Sequence, residues 1–260
     1  MTLSPDDREA LRYARSLLEH PGLATRLTAL IGMPVEKAIE LLPERWSEAV
    51  GMATRKSLDT ALHVALTTLD DRPRARSWDL GHKIAVAATG AGGGAFGLAG
   101  LPVELPLSTT LMLRSIADIA RSEGEALGSP EAKLACLQVF ALGGPGSADD
   151  ASESSYFVVR AALARSVSEA AKYIAQRGLV EEGAPALVRL LAQLASRFGV
   201  VVSQKIAAQA VPIVGAAGGG AINVLFMNHF QQMARGHFIV RRLERAYSPA
   251  LVREEYERLA

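Results

Sequence analysis

Two stretches of this sequence carry no formal charge and many glycines. They are residues 84–103, IAVAATGAGGGAFGLAGLPV, and residues 206–234, IAAQAVPIVGAAGGGAINVLFMNHFQQMA. Glycine inside a helix costs about 0.8–1 kcal/mol relative to alanine. Runs of it persist only where close backbone approach compensates, in a protein core or in lipid. Gly90 with Gly94, Gly93 with Gly97 and Gly215 with Gly219 stand four apart, which puts small residues on one helix face and lets two helices meet closely. The spacing predicts a central pair of glycine-rich helices. Ala91-Gly92-Gly93-Gly94-Ala95 also matches Ala217-Gly218-Gly219-Gly220-Ala221, which suggests an internal pseudo-repeat.

The remainder reads as helices with conventional punctuation. Ser4-Pro5-Asp6-Asp7 places a cap, a proline and acids ahead of the 3.6-period run Leu11, Ala14, Leu17, Leu18. Pro34 and Pro43 each stand at a first helical position, the second opening a long helix through Trp46 to Leu66 that ends at 70–73. Further helices are expected over 129–142, 152–176, 185–210 and 252–259, and one from about Pro106. Gly143-Gly144-Pro145-Gly146 is the strongest break, and residues 143–150 are the expected hinge. No alternating strand pattern stands out, so the expected fold is all-α, a multi-helix bundle forming one domain over 1–260.

Composition narrows the function. Lys and Arg total 28 against 27 Asp and Glu, so no overall basic field draws in nucleic acid. The lone Cys136 excludes an intramolecular disulfide and suits a reducing, cytoplasmic interior. Residues 1–18 lack the uncharged core of a signal peptide, so export is not expected. Residues 92–97 match G-x-G-x-x-G, but prolines at 102 and 106 follow and no βαβ alternation exists, which argues against a dinucleotide loop. No G-x-S-x-G, H-E-x-x-H or Walker A pattern occurs. His229 and His237 are eight apart and lie on different helix faces, so neither a metal nor a cofactor is expected and the chain leans away from an enzyme.

The candidate contacts for a ligand or ion are Glu104, Arg114, Asp118, Asn223 and His229. Glu104 is the only ionisable group between Lys83 and Arg114. It reads either as an acid at the N-terminus of the helix near Pro106, or as an ion, proton or head-group contact beside an apolar cleft. Arg114 and Asp118 are spaced for an i,i+4 ion pair. Asn223 suits an interhelical hydrogen bond. Lys83 and Lys205 stand at the entrances of the two apolar segments, as flanking charges do beside a bilayer. Arg235, Arg241, Arg242 and Arg245 form a local basic patch after the second segment, suited to anionic lipid head groups.

Over about residues 43–245 the chain resembles the EcsC family. The stretches that carry the likeness are AGGGAFGLAGLPVELPLSTTLMLRSIADIARSEG, CLQVFALGG and VPIVGAAGGGAINVLFMNHF. The resemblance implies an acid after the first glycine run and an asparagine after the second, positions held here by Glu104 and Asn223, with Glu where Asp is common. An association with an ABC-type exporter operon is also implied, hence a membrane-associated or transport-accessory role at the inner membrane surface or in a membrane transport complex. An alternative is a carrier of a lipid or hydrophobic small molecule in a cavity between helical halves, with Glu104 and Asn223 facing it. A further alternative is a hydrolase using Glu104 and Asp118 as its acids.

Overall fold

Serine and proline set most of the helix starts. Ser4 Oγ accepts the Asp7 backbone N–H at 3.1 Å and donates to Asp7 Oδ2 at 2.8 Å, capping α1 (Pro5–Glu19). Ser129 and Ser248 accept from the amides of Ala132 and Leu251, each with proline at the next position, and begin α6 (Pro130–Gln138) and α10 (Pro249–Arg258). The computed structural model describes residues 2–19, 22–43, 45–70, 100–144, 155–177, 184–211 and 215–259. The other helices are α2 (Leu23–Ile31), α3 (Val35–Glu40), α4 (Arg45–Thr68), α5 (Leu101–Ser122), α7 (Ser155–Arg177), α8 (Pro185–Ala210) and α9 (Gly215–Ala246). A 3-10 turn, Val139–Ala141, continues α6. Among the described residues there is no strand, and the fold is an all-α multi-helix bundle.

α9 is the axis of the bundle. At 32 residues it is about 48 Å long by the 1.5 Å rise per residue, and it contacts α1, α2, α5, α8 and α10. α4 lies along both α5 and α8, while α8 also meets α3 and α7. Where the 3-10 turn, α8 and α9 converge, Phe140, Phe198, Phe226 and Phe230 pack ring against ring, with centroid separations of 5.0–6.1 Å. α1 crosses α9 closely because residue 236 has no side chain. A Cβ there would lie 2.6 Å from Leu18 Cγ and 2.9 Å from the Ala14 carbonyl oxygen.

Three expectations change. The helix expected from Pro106 begins five residues earlier, at Leu101. Pro102 is tolerated in its first turn, and Pro106 forgoes only one backbone hydrogen bond close to that end. Residues 206–234 are not one helix either. Their first residues finish α8, and Val211 turns extended with ψ 121°, as a residue preceding a proline is biased to do, before α9 starts at Gly215. Pro34 is the N-cap of α3 rather than its first helical residue. Gly90, Gly93, Gly94, Gly97 and the pseudo-repeat that uses them lie outside the described residues. Gly143 of the expected hinge has φ +71°, and a Cβ on it would come within 2.6 Å of His229 Cε1 and Met233 Sδ, so this turn is packed onto α9.

Candidate functional site

The first turns of α5 place Leu101, Glu104, Leu105 and Ser108 in the bundle. Glu104 is thereby carried to the C-terminal part of α8 and the third turn of α9. Lys205 of α8 donates from Nζ to Glu104 Oε1 at 2.8 Å and Oε2 at 3.0 Å. Asn223 of α9 donates from Nδ2 to Oε1 at 2.8 Å. Phe226, one turn further along α9, presents its ring to the same ammonium group, 4.9 Å from the centroid. Lys205 and Asn223 are 0% exposed and Glu104 is 6% exposed. Burial pushes the Lys205 ammonium below its usual value, while the Glu104 charge and hydrogen bond oppose that shift.

Lys205 therefore corrects the reading of it as a charge flanking an apolar segment at a bilayer. It is the internal counter-ion of Glu104. A carboxylate and an ammonium so placed carry no net charge, and each is costly alone in a low-dielectric interior. The three side chains link α5, α8 and α9. Among the described residues, Lys205 and Asn223 hold the Glu104 carboxylate, so an ion or head group there would compete with them.

The other sequence candidates do not join this cluster. Asp118 pairs with Arg121 at 2.8 Å, and Arg121 also donates to the Asp70 carbonyl at 3.1 and 3.2 Å. Arg114 is exposed. Glu104 and Asp118 are fourteen residues apart on α5, about 21 Å by the helical rise. They cannot act together on one bond, which removes them as a hydrolytic pair. His229 is buried against Phe230, at 4.9 Å between ring centroids, and against Gly143. Further along α9, His237 Nδ1 is 2.9 Å from the Tyr156 hydroxyl, which also accepts from Arg160; Arg160 in turn forms a bidentate pair with Glu244 at 2.8 and 2.9 Å. Burial, then the charges of Arg160 and Arg241, keep His237 well below the ordinary histidine range and hence neutral. Among the described residues no three of His, Cys, Asp and Glu gather as metal ligands would.

The arginines after the second apolar segment face internal acids. Arg241 forms two bonds to Glu125 at 2.8 and 3.1 Å, and Arg245 also pairs with it. Arg242 reaches Glu123 at 2.9 Å and Asp7 at 3.5 Å. This patch clamps the turn after α5 to the end of α9, and its charge is largely met within the molecule. Desolvation raises the Glu125 carboxyl, but its bonds to Arg241 and the charges of Arg241 and Arg245 hold it below the ordinary 4.5. Hydrogen bonds from Tyr247 and Ser4, with Arg242 nearby, hold Asp7 below 3.8. Groups depressed in the folded state lend stability above their unfolded pKa and lose it as pH falls towards the folded value. Urea midpoints should therefore fall below pH ~4.5, and Asp7→Asn with Glu125→Gln should flatten that part of the profile.

Surface chemistry differs on α8. Val188, Ala192, Ser196 and Val200 are exposed at four-residue steps, flanked by partly buried Leu187, Leu191, Ala195, Gly199 and Ser203. These residues carry no charge, and the exposed Arg189 beside Val188 pairs with Glu169 of α7 at 3.2 Å. In the most apolar 18 residues of α8, only 28% are buried. By length and composition it is the one described helix apolar enough to cross a membrane, although α3, α4 and α7 pack against its other faces. Sequence reasoning missed Lys205 as a site residue and did not single out this face. The period-four run of small and apolar residues was the available signal for the latter.

The family model for the EcsC protein family matches residues 7–243. No curated protein and no solved structure matches the chain.

Proposed function

We propose, since the chain belongs to the EcsC protein family and presents an exposed apolar stripe on α8, that it is a non-enzymatic accessory protein attached to the inner face of the membrane, where it serves a membrane transport complex. The single observation supporting this reading is α8, a 26-residue apolar helix packed on one side of the bundle and only 28% buried over its most apolar stretch. Such a helix lies in the interface plane rather than spanning it: its apolar stripe meets acyl chains while the bundle stays in water. Arg189 beside Val188 is paired with Glu169 of α7 at 3.2 Å, and Arg197 borders a small pocket with Leu18, Leu142 and Tyr156, so the contact rests on the apolar residues of the stripe rather than on cations. The arginines Arg241, Arg242 and Arg245 are occupied by Asp7, Glu123 and Glu125, so α8 takes over the docking role first assigned to them.

Vesicle flotation tests this. The chain should float with phosphatidylcholine vesicles and stay bound in high salt, because the contact is mainly apolar. Val188→Asp combined with Val200→Asp should cut the bound fraction about tenfold or more, an effect of at least 1.4 kcal/mol. Complete release by salt, or unchanged flotation of the double variant, would contradict attachment through α8.

A further inference from the structure

α3 ends at Glu40 and α4 begins at Arg45, and the corner between them faces α8 across an open cleft of about 450 Å³. Its wall is apolar: Ile39, Leu42, Pro43, Trp46 and Val50. Two hydroxyls, from Ser47 and Ser203, complete it. Among the described residues that line it, none is charged. Ser203 Oγ already donates to the Gly199 carbonyl at 2.8 Å, so towards the cleft it offers lone pairs rather than a proton.

We infer that this cleft binds one fatty-acyl chain of a membrane phospholipid. Its volume lies in the range of small-molecule sites and leaves room for a single chain rather than a whole diacyl lipid. The described lining offers an acyl chain apolar surface and gives a head group no charged partner. The charged part of the lipid thus remains at the mouth. That mouth is itself apolar. Leu41 beside it is 72% exposed, and Val200, one turn before Ser203, belongs to the exposed stripe of α8. The stripe leads into the cleft, so a helix lying on a membrane surface has a path for drawing one acyl chain out of the outermost lipid layer. Trp46, with an apolar body and one N–H donor, suits the boundary between chain and head group. The inference rests on the membrane reading of α8 only for the source of the lipid; occupancy of the cleft is independent of it.

The test uses lysophosphatidylcholine with a vicinal dibromide on its single acyl chain, kept monomeric and free of vesicles. Bromine quenches tryptophan on contact. The chain has two tryptophans, Trp46 and Trp78, so Trp78→Phe leaves Trp46 as the sole reporter. Quenching should be saturable and should disappear in Ser203→Trp when energy transfer and quenching at residue 203 are separated by a Trp46→Phe control. Native mass spectrometry of the unmodified chain should count one lysolipid per chain, and Ser203→Trp should lose it while keeping its helical signal. Absence of a bound lysolipid, or undiminished binding by folded Ser203→Trp, would overturn the assignment. Flotation separates the two claims. Lipid bound without flotation upholds the cleft and removes the membrane reading, whereas flotation without bound lysolipid removes the cleft alone.

Discussion

Lys205→Met should destabilise the chain by about 3–5 kcal/mol, because it removes the ammonium and leaves Glu104 buried with, among the described residues, Asn223 alone donating to it. The loss should appear as a lower urea midpoint with little change in slope. Adding Glu104→Gln to Lys205→Met should restore much of it, since a neutral amide in that position leaves no stranded charge and can still accept from Asn223. Glu104→Gln alone should cost less than Lys205→Met. The ammonium it strands is already shifted towards release of its proton by burial, and a neutral amine is less costly to bury. If the three variants were equally destabilised, Glu104 and Lys205 would not be acting as a pair.

Phe230→Ala should cost about 3–5 kcal/mol, the usual range for emptying a ring-sized space in a packed core. Phe230 is fully buried and touches the rings of Phe140, Phe198 and Phe226 as well as the His229 imidazole. Its removal opens a void between the 3-10 turn, α8 and α9, lined by the rings of Phe140, Phe198 and Phe226. Phe230→Leu should recover more than half of that loss, because the space is mostly refilled. Thermal unfolding of the three proteins measures both. The functional consequence follows from position: this cluster fixes α8 from the inside, and a loosened α8 presents its outer stripe less uniformly.

Much of the fold was legible where local chemistry decides it. Ser4, Ser129 and the proline after each marked helix starts that the structure places within a residue or so, and the 185–210 helix follows from its flanking signals. Boundaries set by competing proline effects were less legible. Pro102 and Pro106 looked like barriers to a helix through them, yet each lies close enough to the start of α5 to forgo little bonding. Glu104 and Asn223 stood out in the sequence because each is polar within an apolar run. The same argument applied to Lys205, the only formally charged residue between Arg197 and Arg235. A lone acid in one apolar segment and a lone base near the other are each other's natural partners. Which groups meet across three helices is set by packing, and no spacing rule within one helix reports it. The arginines after the second segment show the converse: their partners, Asp7, Glu123 and Glu125, are distant in sequence, so a run of cations looked like an open patch.

The most direct test of attachment through α8 is a fluorophore placed on its exposed face. Cys136 is buried, and desolvation first of all pushes its thiol up to about 12, so it stays unreactive and an introduced cysteine is labelled alone. An environment-sensitive dye at Ser196→Cys should shift to the blue and brighten when neutral vesicles are added, in low and high salt alike. The same dye at Glu254→Cys, on exposed α10, should not respond. No shift at 196, or an equal shift at both positions, would contradict the account.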